Sequence, residues 1–172
     1  MSKACIMPYK GIFPKIDDGA FIAPNASIIG DVTIGKGSGI WFNCVVRGDV
    51  EPITIGENTN IQDGTVIHCT RNGGKTIIGS NVTVGHKVLL HACILEDECF
   101  VGMGAILMDG VVVKSGGMVA AGSLVTPNKV IKKGEIWAGN PAKYFRELTK
   151  QEAEFIMTSA NNYKKHVEEY LA

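Results

Sequence analysis

Aromatic residues make up only 7% of the chain, and it lacks a basic block, a paired-cysteine pattern and a long apolar run. Lys plus Arg and Asp plus Glu each number 17, so the formal charge is zero. No nucleic-acid partner and no anionic-membrane partner is therefore expected. No apolar run approaches the roughly 18 residues that a membrane span needs. The opening MSKACIMPYKGIFPKI has neither an apolar h-region nor a small-residue cleavage site, so no signal peptide is read and a cytoplasmic protein is expected. The five cysteines are Cys5, Cys44, Cys69, Cys93 and Cys99. An odd count without a CxxC pair argues for a reducing compartment rather than a disulfide framework. Glycine, by contrast, is plentiful at 21 residues, which with so few aromatics points to tight turns and a narrow core.

A repeat of six organises the 172 residues. From Leu95 the sequence divides into LEDECF, VGMGAI, LMDGVV, VKSGGM, VAAGSL and VTPNKV. Upstream the same pattern reads IAPNAS, IIGDVT, IGKGSG, IWFNCV and VRGDVE, then IGENTN, IQDGTV and IHCTRN, then IGSNVT, VGHKVL and LHACI. Its breaks are three extra residues at Pro52–Thr54, five at Gly73–Ile77, and one missing after Ile94. A unit with one large aliphatic residue first and a small residue fifth is a short strand plus a corner. Three such units close a triangular coil of 18 residues, each strand resting on its counterpart about 4.8 Å away. The fold class expected is all-β, a parallel β-helix of hexapeptide repeats over residues 1–148. An ordinary β-sandwich does not predict fixed sixes over more than a hundred residues.

The tail, residues 149–172, has a different composition. Thr149 and Glu152 form a T-x-x-E capping box. Ile156, Ala160, Tyr163, Val167 and Tyr170 recur at threes and fours. The spacing predicts a C-terminal α-helix that packs on the β-helix or on a neighbouring subunit.

The stretch VGHKVLLHAC carries two histidines five residues apart, a spacing that suits neither one helix face nor one strand face. The lattice resolves it. His68 is second in its block and His91 is second three blocks later; their separation of 23 is one coil of 18 plus the five-residue insertion. Both point outward, side by side, at a spacing that suits two imidazoles on one zinc, whose nitrogens stand about 3.4 Å apart. His86 lies at the corner before the strand of His91, roughly 16 Å of chain away. It reaches such an ion only from another copy, so the spacing predicts a cyclic homotrimer with three shared sites. Arg47 lies in line with His68, since 21 is 18 plus the three-residue insertion, and Asp63 stands one coil from His86 with Gln62 beside it. Blander readings apply elsewhere. His166 on the tail reads as a solvated side chain, Asp63 could cap a corner, Cys44 and Cys99 fall at inward fifth positions, and Met103 and Met108 suit packing.

VVRGDV, NIQDGTVIH, VGHKVLLHAC and FVGMGAILMDG together resemble the gamma-class carbonic anhydrase family and its close bacterial relatives, from about Pro14 to Lys143. The hexapeptide alone is shared with many acyltransferases; the combination R-x-D, Q-D-G-x-x-x-H and G-H-x-x-x-x-H is specific. The resemblance implies a left-handed coil, a hand that the periodicity does not supply because parallel crossovers are ordinarily right-handed. It also implies a trimer with metal sites between subunits. His68, His86 and His91 match the metal ligands, Arg47 and Asp49 the intersubunit pair, and Gln62 and Asp63 the polar neighbours of the bound water.

The activity so implied is reversible hydration of carbon dioxide to bicarbonate by a metal-bound hydroxide. Zn2+ is the default cofactor, with Fe2+ or Co2+ also suited to imidazole. The best-studied members carry proton-shuttling glutamates, one just after R-x-D and one in an acidic loop. Here Val50 takes the first place, with Glu51 next to it, and the loop RNGGKT is short and basic. That departure implies turnover that is slow, buffer-dependent or absent. The alternatives are an acyl-CoA-directed hexapeptide transferase or metal-dependent thioesterase, and a noncatalytic trimeric scaffold holding a structural metal.

Overall fold

A computed structural model describes residues 3–172. The chain winds into a left-handed parallel β-helix with three flat faces. The first face stacks Ser27–Gly30, Val45–Gly48, Val66–His68, Leu89–His91, Ile106–Leu107 and Leu124–Val125. The second stacks Val32–Ile34, Ile53–Ile55, Thr76–Ile78, Ile94–Leu95, Val112–Val113 and Val130–Ile131. The third stacks Phe21–Ile22, Gly39–Ile40, Asn60–Ile61, Thr83–Val84, Phe100–Val101, Met118–Val119 and Glu135–Gly139, and ends in an antiparallel strand, Ala142–Glu147.

The six-residue period sets the core. Ile28, Ile34, Ile40, Val46, Ile55, Ile61, Ile67, Ile78, Val84, Leu90, Leu95 and Val101 open their blocks, and each is at most 1% exposed. Fifth-position residues, among them Ala26, Cys44, Cys99 and Ala105, complete the interior at 0% exposure. Burying each large aliphatic side chain contributes about 1.5–3 kcal/mol, so the column is a sum of many equal terms. Asn25, Asn43, Asn58, Asn81 and Asn128 take positive φ at corners, as their sequence positions suggest.

All three breaks in the period fall at one corner, between the first and second faces. Gly48 pairs with Gly30 while Ile53 pairs with Val32, so Asp49–Pro52 bulges where the coil below has Asp31 alone. The second insertion leaves the corner after His68, before Thr76 pairs with Ile53. The single deletion belongs to this corner too. Ile94 pairs with Ile77 and Val112, so the missing residue lies between His91 and Cys93, before Ile94 rather than after it. Each irregular corner thus directly follows one member of the outward column Arg47, His68, His91.

The helix Lys150–Leu171 is capped by Thr149, whose hydroxyl accepts from the Glu152 N–H while the Glu152 carboxylate accepts from the Thr149 N–H. It lies along the third face of its own chain, burying Ile156, Ser159, Ala160 and Val167. Its last turns meet an aromatic cluster in which Trp41 stands 5.5 Å from Tyr163 and 5.3 Å from Tyr170, centroid to centroid. No helix among the described residues is long and apolar enough to cross a membrane.

Candidate metal centre

His68 and His91 are paired residues of adjacent strands, and their rings meet on the outer surface of the first face. His68 Nδ1 lies 3.3 Å from His91 Nε2. The other nitrogen of each ring faces a carboxylate. His68 Nε2 is 2.9 Å from Asp49 Oδ1, and His91 Nδ1 is 2.6 Å from Asp109 Oδ1. An ionised carboxylate only accepts, so a neutral ring must carry its single proton on the carboxylate side. Two bare lone pairs then face each other across the gap, a repulsive arrangement that a cation between them relieves.

An irregular corner supplies the first of these partners, and the regular coil next to His91 supplies the second. The Asp49–Pro52 bulge turns Asp49 back over His68, where it also pairs with the Arg47 guanidinium. Arg47 and Asp49, which the resemblance sets across a subunit contact, meet here within one chain. Burial pushes the Asp49 carboxyl up, but the bonds from His68 and Arg47 outweigh it and hold the group below the usual carboxylate range. Asp109 is likewise held low, chiefly by the Thr70 hydroxyl and then by His91.

His86 sits at the corner between the third and first faces, 43% exposed, with its Nδ1 2.9 Å from Asp63 Oδ2. Among the described residues, no group of three or more His, Cys, Asp and Glu side chains within one chain could hold a metal ion. Gln62 is 6% exposed, and its Nε2 donates to Asn60 Oδ1 at 3.0 Å. Asn60 Nδ2 donates in turn to Thr83 Oγ1, 3.0 Å away, and Thr83 donates to Ser159 Oγ on the helix at 3.1 Å. Tyr163 comes near the same corner: burial pushes its hydroxyl up, and the negative charge of Asp63 adds to the shift. Val50 packs against the core, while Glu51 lines a groove with Tyr9, Asp31 and Asp49.

The model for the bacterial transferase hexapeptide (six repeats) matches residues 13–48. The carbonic anhydrase of Geobacillus kaustophilus is 46% identical over 147 residues, which span 86% of this chain and 80% of that relative. The chain belongs to the gamma-class carbonic anhydrase family. The mitochondrial gamma carbonic anhydrase 2 of Arabidopsis thaliana is 56% identical over 155 residues, 87% of this chain. The chain spans between 56% and 60% of the lengths of the three Arabidopsis relatives it matches. A hexapeptide transferase family protein from Anaplasma phagocytophilum superposes with a TM-score of 0.93 at 51% identity, covering 96% of this chain and 98% of that one.

Within this gamma-class chain, the sequence singled out His68, His86, His91, Arg47, Asp49, Gln62 and Asp63 as candidates; Thr70, Asp109, Asn60, Thr83 and Ser159, which the structure sets beside them, were passed over. The lattice held a signal for Asp109, which is third in its block on the coil next to His91. Nothing local marked Thr70, because its position depends on the path of an insertion. Asn60, Thr83 and Ser159 read as ordinary polar residues until the helix is laid on the third face.

Proposed function

We propose that the protein catalyses the reversible hydration of carbon dioxide to bicarbonate at sites shared between the chains of a homotrimer. The observation that carries this reading is the facing pair of imidazole nitrogens, His68 Nδ1 and His91 Nε2, 3.3 Å apart, with the other nitrogen of each ring against a carboxylate. The donor set fits a divalent metal. Neutral imidazole suits Zn2+, Fe2+ and Co2+, and two corners of a tetrahedral zinc site lie about 3.4 Å apart. His68 Nδ1, His91 Nε2 and His86 from a second copy would hold the ion. When bound, the ion supplies the Lewis acidity that makes water a nucleophile near neutral pH.

The chain's own residues do the rest. Asp49 and Asp109 hold the protons of His68 and His91 on the nitrogens turned away from the ion. Asp63 beside His86 Nδ1 favours the proton there, leaving Nε2 for the ion. Gln62, its amide nitrogen tied to Asn60, keeps Oε1 as a free acceptor that orients the attacking water. The buried chain through Asn60 and Thr83 to Ser159 keeps that amide from turning over. Support for assembly comes from the first face, where Val66 and Leu89 flank the histidines at 39% exposure each, an aliphatic surface that a second copy would cover.

Stopped-flow carbon dioxide hydration tests the reading on zinc-loaded and anaerobically iron-loaded protein, with His91→Ala as the control. Metal-dependent turnover lost in the variant supports it. Full metal occupancy without turnover, even in concentrated imidazole buffer, overturns it. The likeness to the hexapeptide transferase family protein of Anaplasma then favours a transferase, and the second reading, an acyl-CoA-directed transferase or metal-dependent thioesterase, is assayed by thiol release. Inertness there too leaves the trimeric scaffold.

A further inference from the structure

Three successive coils meet at His91. Asp109 follows the strand Ile106–Leu107; its Oδ1 lies 2.6 Å from His91 Nδ1, and its Oδ2 accepts the Thr70 hydroxyl. Thr70 is itself fixed by the insertion. Its N–H donates to Gly74 O at 2.9 Å, and its carbonyl accepts from the Gly74 N–H at 3.3 Å. Gly74 presses on the shortened corner beyond His91, where a Cβ would come within 2.8 Å of Ala92 Cβ and 2.9 Å of Thr70 Cβ. The five-residue insertion therefore folds down onto the one-residue deletion, and the contact delivers the Thr70 hydroxyl to Asp109.

We propose that Thr70 and Asp109 are a positioning pair that sets the tautomer and the ring orientation of His91. The proposal rests on the reading of His68 and His91 as metal ligands. A neutral imidazole can place its proton on either nitrogen, and the hydrogen bond made at one decides which lone pair is free at the other. By donating to Oδ2, Thr70 holds the carboxylate so that Oδ1 points at His91 Nδ1. The ring is then committed to the Nδ1–H form, with Nε2 turned to His68. Without Asp109, the ring can turn and move its proton to Nε2, the atom that has to be bare. Such outer partners of ligating histidines change metal affinity roughly 10–100-fold when removed.

Two measurements test the pair, using Asp109→Ala, Thr70→Val and, as a control, Asp18→Asn at an exposed site. Zinc affinity is read by competition with a chromophoric chelator. Imidazole nitrogen NMR on metal-free protein at alkaline pH reads which nitrogen of His91 carries the proton. Expected are zinc binding about 10–100-fold weaker in Asp109→Ala, a smaller but measurable loss, below about tenfold, in Thr70→Val, and no change in the control. The intact protein shows its His91 proton on Nδ1, and Asp109→Ala moves it wholly or partly to Nε2. Unchanged affinity and tautomer in Asp109→Ala overturn the proposal while leaving the ligand reading intact. An intact protein that binds no zinc takes down both. Should Asp109→Ala fail to fold, Thr70→Val and the intact tautomer decide alone: a proton on His91 Nε2 in the intact protein, or wild-type zinc affinity in Thr70→Val, overturns the pair.

Discussion

Beneath His68 lies Ile67, 0% exposed and held between Val46 and Leu90 of the coils on either side. The strand of His68 rests on that side chain. Ile67→Ala is expected to lower stability by about 2–5 kcal/mol, the sum of lost transfer energy and the void left behind. Urea unfolding reads that loss directly. The thiols offer a second test at this scale. Burial pushes Cys44 up to about 11 and both Cys93 and Cys99 to about 12, and it also raises Cys69. Cys5 alone is exposed. A thiol reagent at neutral pH is thus expected to modify Cys5 in the native protein, and all five cysteines only after denaturation, as read by intact mass. Fifth-position cysteines were legible as core from the repeat, since a position that recurs inside needs no tertiary information. Cys69 was not, because its environment depends on how the insertion after it folds.

Among the elements, the helix Lys150–Leu171 depends on its first turn and on one buried hydroxyl. Glu152 is held to about 2, first by the Arg146 guanidinium and then by the Thr149 N–H and hydroxyl. Its folded value lies below the ordinary 4.5, so its contribution is complete above that pH and fades as pH falls towards 2. The stability gap between intact protein and Glu152→Gln, read from thermal melts, should be open at pH 7 and closed near pH 2. Ser159→Ala removes the acceptor of the Thr83 hydroxyl and is expected to cost about 1 kcal/mol, measured by urea unfolding. The helix, its capping box and most of its apolar face were readable from spacing. Ser159 was not, since hydroxyls carry no periodic signal and become informative only against Thr83.

For the whole molecule the question is assembly. The proposed site needs His68 and His91 from one copy and His86 from another, so His86→Ala should abolish metal binding while leaving the oligomer intact. Sedimentation equilibrium paired with metal analysis checks both halves of that expectation. Retention of stoichiometric metal by a separated single chain would contradict it. The first face carries the argument for contact, because its histidines and its aliphatic residues Val66 and Leu89 share one uncovered surface.

The period of six, read from the sequence by itself, determined the β-helix, its inward column and the stacking of His68 on His91. A repeat constrains every position that recurs, and simple addition across two insertions and a deletion preserved the register. The hand of the coil came with the family likeness, since the period is the same for either hand. Only the tertiary structure decided which nitrogen of His68 and of His91 meets a carboxylate and which faces the other ring. That choice belongs to carboxylates arriving from other coils, Asp49 across 19 residues and Asp109 across 18, with Thr70 reaching Asp109 across 39. Two of these partners ride on corners where the period breaks. At such corners the lattice is silent, and steric fit and hydrogen bonding set the path.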